Sequence, residues 1–173
     1  LYALIDKGAG EQALREVIAA RNAKPAKYYY LEAELNFQGY RFFQEDRVAQ
    51  AIALFRLNVE LFPGSWNVYD SLGEALLKAG DTAAATAMYE QSLRLDPRLV
   101  STLVSLAWSS GALIELDPQA DRDRLLHEME KFSSLAVASD RSGPRAWDAR
   151  SDALRRQYRW NEALEALDET FRI

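Results

Sequence analysis

The 173-residue chain has no cysteine, a single histidine and only five prolines. Without cysteine there can be no disulfide, no thiolate metal site and no cysteine nucleophile. Such a chain folds equally well in the cytoplasm or in a bacterial periplasm, so its compartment stays open. The lone His127 lies in a charged stretch, and no G-x-S-x-G, S-x-x-K, H-E-x-x-H or phosphate-cradling glycine loop accompanies it. No apolar run approaches the roughly 18 residues of a membrane-spanning helix.

An excess of positive charge is also missing. Residues 1–98 carry 11 Lys and Arg against 13 Asp and Glu, and residues 99–173 carry 10 against 13, for a net charge of −5. Neither half can track a phosphate backbone, which excludes nucleic acid as the expected partner. The reading that remains is a non-enzymatic protein without cofactor or metal. The opening "LYALIDKG" lacks an initiating Met and a signal-like apolar core, as expected of a fragment or processed region.

What the chain does have is a period. Gly39 and Gly73 are 34 residues apart, as are Ala51 and Ala85, Phe55 and Tyr89, and Pro63 and Pro97. Each unit reads as two helices: "LEAELNFQGYRFFQED" with "VAQAIALFRLNVELFP", then "SWNVYDSLGEALLKAGD" with "TAAATAMYEQSLRLDP". Trp66, Tyr69, Leu72, Gly73, Leu76 and Leu77 recur at three- and four-residue steps, as one packed helical face requires. Ser65 is the expected N-cap, Gly80 the left-handed closing residue and Asp81 the next cap. The small residues have a packing role: Gly39 and Gly73 let paired helices approach, and Phe55 and Tyr89 fill the space.

A 34-residue helix pair with Gly midway along the first helix, Ala then an aromatic on the second, and Pro near its end resembles the tetratricopeptide repeat. That resemblance implies an all-α fold, a right-handed superhelix of stacked antiparallel helix pairs (an α-solenoid). The expected organisation is one domain, 1–173. It comprises a degenerate N-terminal repeat or cap at 1–31, repeats at 32–65 and 66–99, an enlarged degenerate repeat at 100–143 and a C-terminal repeat at 144–173. In the enlarged unit Asp117-Pro118 is expected to cap and start the second helix. Ten helices are expected in all.

Residues 34–81, with "NxxGY" at 36–40, "FRLNVELFP" and "NVYDSLGEA", carry a narrower likeness. Residues 1–98 resemble the repeat domain found C-terminal to bacterial serine hydrolases, chiefly β-lactamase or penicillin-binding-protein-like enzymes. This implies an alternative role as an accessory domain packing on a larger hydrolase.

Tyr69, Asp70, Ser71 and Glu74 crowd together as though for catalysis, but helical spacing divides them between two faces. The concave wall of stacked first helices is expected to carry Asn36, Tyr40, Asn67, Asp70, Ser71 and Glu74, with Trp108 extending it. Phe37 and Lys78 lie on the same expected side. Such a wall would bind a peptide or protein whose face is positive or rich in hydrogen-bond donors. At the positions where chaperone-binding tetratricopeptide domains grip a C-terminal carboxylate with cations stand Asn36, Tyr40, Ser71, Ser101 and Ser105, and Asp70 and Glu74 would repel a carboxylate.

Two clusters have plainer readings. "DPQADRDRLLHE" spaces acids as a calcium loop would, but Arg122 stands where the loop's turn needs Gly. Arg141, Arg145, Arg150, Arg155, Arg156 and Arg159 alternate with Asp140, Asp148 and Asp152, as salt-bridged helix faces do. The last helix carries Leu164, Leu167, Phe171 and Ile173 without a following polar cap, which predicts self-association through that helix.

Overall fold

The structure is a computed structural model describing residues 32–117 and 119–172, together with Ile5, Gln12, Arg15, Glu16 and Ala19. Among the described residues there are eight helices and no strand: α1 (Glu32–Gln44), α2 (Val48–Leu61), α3 (Trp66–Lys78), α4 (Thr82–Leu95), α5 (Val100–Leu116), α6 (Arg122–Ser139), α7 (Pro144–Arg156) and α8 (Trp160–Thr170). Most of the expected cap at 1–31 lies outside the described residues. No described helix is long and apolar enough to cross a membrane. Contacts divide the chain into two compact units, 1–88 and 89–173, with the boundary inside α4.

In the first unit α1 packs on α2, and α3 packs on both. Glu32 and Glu34 sit in the first turn of α1 and Arg41 in its last, each sign matched to the nearer end of the helix dipole. Helix α2 stops at Leu61, two residues before Pro63, and α4 stops at Leu95, two before Pro97. Leu35, Phe42, Ala51, Leu54, Phe55 and Leu57 form the α1–α2 core, each no more than 1% exposed.

Gly39 faces the ring of Phe55 across the α1–α2 contact. A Cβ added there would lie 2.4 Å from Cε1 of Phe55, well inside contact distance, so only a residue without a side chain fits against that ring.

The turn from first to second helix repeats in three places. Gly80 has φ +84°, its N–H donates to Leu77 O at 3.0 Å, and Asp81 N–H donates to Leu76 O at 3.0 Å. This paired closure satisfies the last carbonyls of a helix through one left-handed residue. Asp46 (φ 59°) and Tyr158 (φ 61°) occupy the same place, with Arg47 N–H to Phe42 O at 2.9 Å and Arg159 N–H to Leu154 O at 3.0 Å. Asp and Gly adopt that conformation readily; a bulky aromatic does so rarely.

In the second unit α5 packs on α6, α6 on α7 and α7 on α8, with α7 also reaching α5. Its centre is built from small residues, Ala107, Ala136, Ala146 and Ala149, beside Leu103 and Val104. Alanine at each facing position keeps these helices close. Helix α6 begins later than expected. Asp121 is its N-cap, its carboxylate accepting from Arg124 N–H at 3.0 Å, while Asp117 accepts from Gln119 N–H in the preceding turn. An acid four residues further on thus provides the cap expected from Asp117.

Ion pairs run between helices as well as along them. Glu130 of α6 accepts from Arg150 of α7 at 3.3 Å and from Arg159, just before α8, at 2.6 Å. Arg156 reaches both Asp152 at 2.9 Å and Glu115 of α5 at 2.7 Å. Burial works to raise the pKa of Glu130, but the Arg159 hydrogen bond and the charge of Arg150 outweigh it and hold the carboxyl below its usual range. The expected salt-bridged arginine face is therefore present, though Glu130 and Glu115 supply partners that the Arg/Asp alternation did not suggest. Asp140 instead accepts from Ser142 N–H and Oγ in the α6–α7 turn.

Candidate functional site

Helices α1 and α3 are the first helices of consecutive repeats, and both lie in the first unit, so their shared face can be built residue by residue. Asn36 and Tyr40 stand one turn apart on α1, and both are half-buried. Between them Phe37 turns outward and remains 68% exposed, the largest open side chain on this helix. Ala33, Glu34 and Arg41 are exposed along the same side.

Tyr40 is the junction with α3. Its hydroxyl donates to Glu74 Oε2 at 2.8 Å, between residues 34 apart in sequence, hence at equivalent places in consecutive repeats. Its ring packs edge-on against Phe55 at 5.2 Å and Phe43 at 6.0 Å. Burial pushes the phenol far above its ordinary pKa of 10; Ser71 nearby is the next largest influence and pulls the other way, and the Glu74 and Asp70 carboxylates add smaller upward pushes. The phenol therefore stays protonated and acts as a donor across the whole working pH range.

The α3 residues do not form the open wall that spacing suggested. Val68, Tyr69, Asp70, Ser71, Leu72 and Gly73 are all buried, six in a row, which is more than a full helical turn. Asp70 is 8% exposed and Ser71 1%, and Ser71 Oγ finds no hydrogen-bond partner of good geometry. The expectation of one buried and one open face fails because this helix is enclosed nearly all round over its first two turns. Trp66, assigned to the packed face, is instead 38% exposed. Glu74 is half-buried, so it keeps a route to solvent.

Asn67 has a structural commitment. Its Nδ2 donates to Glu32 Oε1 at 3.1 Å, and Ser65 Oγ donates to the same oxygen at 2.9 Å. Ser65 thus occupies the N-cap position of α3 without bonding that helix's own amides. Asn58 Nδ2 donates to the Glu32 backbone carbonyl at 3.2 Å, so Glu32 holds the start of α1 against both α2 and α3. At the other end Lys78 donates to Phe43 O at 2.8 Å, pairs with Asp46 at 2.9 Å and lies 4.5 Å from the centre of the Phe43 ring. Glu32 was missed by sequence reasoning. Its only signal was an acid placed 33 and 35 residues before two potential donors.

Trp108 belongs to the second unit. It is half-buried, packs against the alanine-rich core there and has the Arg145 guanidinium 5.2 Å from its ring centre. Its indole contributes to that unit's own packing.

Two unpartnered or outward groups therefore flank the Tyr40–Glu74 bond. Asn36 Oδ1 is buried without a hydrogen-bond partner, and Phe37 is open. The arrangement offers an aromatic anchor near the half-buried Glu74 carboxylate, with the one nearby phenol proton already used. Among the described residues no three His, Asp or Glu are grouped to hold a metal ion.

No protein-family model matches the sequence, and no curated protein matches it. Solved structures do match in fold. MamA aligns with TM-score 0.67 at 17% identity, covering 98% of this chain and 91% of its own. TTC0263, a thermophilic TPR protein of Thermus thermophilus, aligns with TM-score 0.71 at 16% identity over 81% of this chain and 73% of its own. The first TPR of Spaghetti (RPAP3), solved bound to the HSP90 peptide SRMEEVD, aligns with TM-score 0.59 at 13% identity over 79% of this chain and 93% of its own. The fold is thus all-α and of the tetratricopeptide type, in agreement with the period read from the sequence.

Proposed function

We propose that this chain is a non-catalytic interaction module, and that the outer face of α1 with the adjoining edge of α3 binds a peptide or protein segment. The observation that carries this reading is Phe37, 68% exposed beside the Tyr40–Glu74 pair. A large aromatic held open next to fixed acceptors is the composition of a binding hot spot, an apolar anchor with polar groups that orient it. Glu74 is the acceptor with access to solvent, so the segment it favours presents donors: backbone N–H groups, or a Lys or Arg side chain. The peptide-bound RPAP3 structure supports peptide recognition as a use of this fold. The SRMEEVD in that structure has an acidic end, whereas the face described here is built for the opposite polarity.

The likeness of residues 1–98 to the repeat domain of serine hydrolases has no counterpart among the three structures described above. A binding face of this kind would serve a free-standing or an appended module alike. An S-x-x-K or G-x-S-x-G enzyme encoded directly upstream of Leu1 would decide for the appended form.

Selection from a displayed peptide library, followed by titration of the selected peptides, tests the proposal. Phe37→Ala should weaken binding about tenfold or more, equivalent to about 1.4 kcal/mol, and Glu74→Gln should weaken cationic peptides selectively. Selected peptides that bind Phe37→Ala as well as the unaltered chain would refute this face.

A further inference from the structure

The solvent-reachable acceptor of the α1–α3 face has no cation of its own chain. Glu74 accepts one hydrogen bond, from the Tyr40 hydroxyl to Oε2 at 2.8 Å, and no described Lys or Arg nitrogen lies within ion-pairing distance of it. The basic residues nearby are committed elsewhere. Lys78, one turn further along α3, pairs with Asp46 at 2.9 Å and donates to Phe43 O at 2.8 Å. Arg41, beside Tyr40 on α1, lies 3.9 Å from Glu45 and 5.2 Å from the centre of the Phe42 ring. A half-buried carboxylate that no cation faces gains more from a partner's cation than one already paired.

This carboxylate is also set back. Asp70 and Ser71, on the preceding turn of α3, are 8% and 1% exposed, whereas Phe37 stands out at 68%. Phe37 and Tyr40 are three residues apart on α1, neighbours on one face with Cβ atoms about 5–6 Å apart, and the Tyr40 hydroxyl touches Glu74. Ser71 Oγ, buried without a partner of good geometry, faces the same phenol, and Asp70 adds its negative charge there. An open ring thus stands in front of a recessed acid. A segment resting on that ring reaches the acid through a long side chain, with its own main chain kept outside.

The orientation of Glu74 narrows the choice between the two long cations. The Tyr40 ring is held edge-on by Phe55 at 5.2 Å and Phe43 at 6.0 Å, so its hydroxyl is fixed, and through it the plane of the carboxylate. A fixed plane suits the planar guanidinium, which donates two parallel N–H groups; a lysine ammonium gains nothing from it. Guanidinium is also the more weakly hydrated cation and stacks on an aromatic face such as the one Phe37 leaves open.

We propose that this face takes an arginine side chain of its partner, the guanidinium forked on Glu74 and the stem laid along Phe37. Tyr40 is then a positioning residue, setting the plane of the carboxylate. The proposal rests on the α1–α3 face being the binding face, and it narrows what that face binds to an arginine-bearing segment.

The test uses a capped Gly-Arg-Gly peptide, its lysine counterpart and its citrulline counterpart, which keeps the shape of arginine without the charge. Each is titrated into the isotopically labelled 173-residue chain and followed by NMR. Saturable shifts are expected at Phe37, Tyr40 and Glu74, with the arginine peptide at least about tenfold tighter than the citrulline one and about threefold tighter than the lysine one. Glu74→Gln should remove the advantage of arginine over citrulline. Tyr40→Phe keeps the ring packing and should bring arginine down to the affinity of lysine; a merely structural role would weaken both peptides alike. Circular dichroism checks that both variants keep their helices. Absent or misplaced shifts, equal binding of the arginine and citrulline peptides, a preference for lysine, or an arginine advantage that survives Tyr40→Phe would overturn the proposal. Library-selected peptides that need Phe37 yet carry no arginine would refute the arginine and leave the face standing, whereas peptides indifferent to Phe37→Ala would refute both.

Discussion

Replacing Gly39 with alanine isolates the contact on which the first helix pair depends. The added methyl carbon would stand 2.4, 2.7 and 2.8 Å from Cε1, Cζ and Cδ1 of Phe55. Carbon atoms rest at about 3.5–4.0 Å, so the pair must open by about 1 Å or the ring must move. The ring has little freedom, since Phe55 is 0% exposed and Tyr40 packs edge-on against it at 5.2 Å. Overpacking costs about 1–3 kcal/mol, and a hemmed-in aromatic belongs at the upper end, about 3 kcal/mol. Alanine returns about 1 kcal/mol through its better helix propensity, leaving a net loss of about 2 kcal/mol. Guanidinium denaturation followed by circular dichroism reads this as a lower midpoint. The decisive comparison is a Phe55→Leu background, which removes two of the three clashing atoms. There Gly39→Ala should be close to neutral, giving a coupling energy of about 2 kcal/mol. If Gly39→Ala raises the midpoint, or lowers it equally in both backgrounds, the close-approach argument fails.

Two further predictions concern the second unit. Glu130 has its pKa lowered in the fold, so its contribution to stability is complete above the ordinary 4.5 and is lost as pH falls through the lower folded value. Asp152 behaves alike, burial opposing and Arg155 and Arg156 prevailing. Glu130→Gln should therefore flatten the acid limb of a stability-against-pH curve below about pH 4.5, and an unchanged limb would count against the Arg150–Glu130–Arg159 contact. Tyr158→Gly should stabilise the chain by about 1 kcal/mol by relieving the left-handed residue. A loss of stability there would mean that the Tyr158–Trp160 stacking outweighs the strain.

Much of the repeat was readable before any coordinates. The offset shared by Gly39/Gly73, Ala51/Ala85 and Pro63/Pro97 located four helices and their turns, because a glycine pressed on a ring and a proline ending a helix are local demands. Gly80 closing α3 and Asp81 capping α4, its carboxylate accepting from Ala84 N–H at 3.1 Å, are of the same kind. The cap of α6 was misplaced because Asp117 and Asp121 both precede helical sequence, and the choice between them depends on where α5 ends.

The candidate face was less legible. Periodicity states which residues of a helix lie together, but not how many neighbours enclose that helix. Asp70 and Ser71 share a side with Glu74, yet two are buried and one reaches solvent. Asn67 and Lys78 looked equally available, but Glu32 and the α1–α2 turn engage them through bonds spanning about one repeat, which no local pattern announces. Composition, period and turn chemistry by themselves determined an all-helical tetratricopeptide-type chain. The tertiary structure alone decided which polar side chains are spent inside it and which large apolar ones, Phe37 among them, stay exposed. Burial is a property of surrounding helices, and a residue's own neighbours in sequence do not specify it.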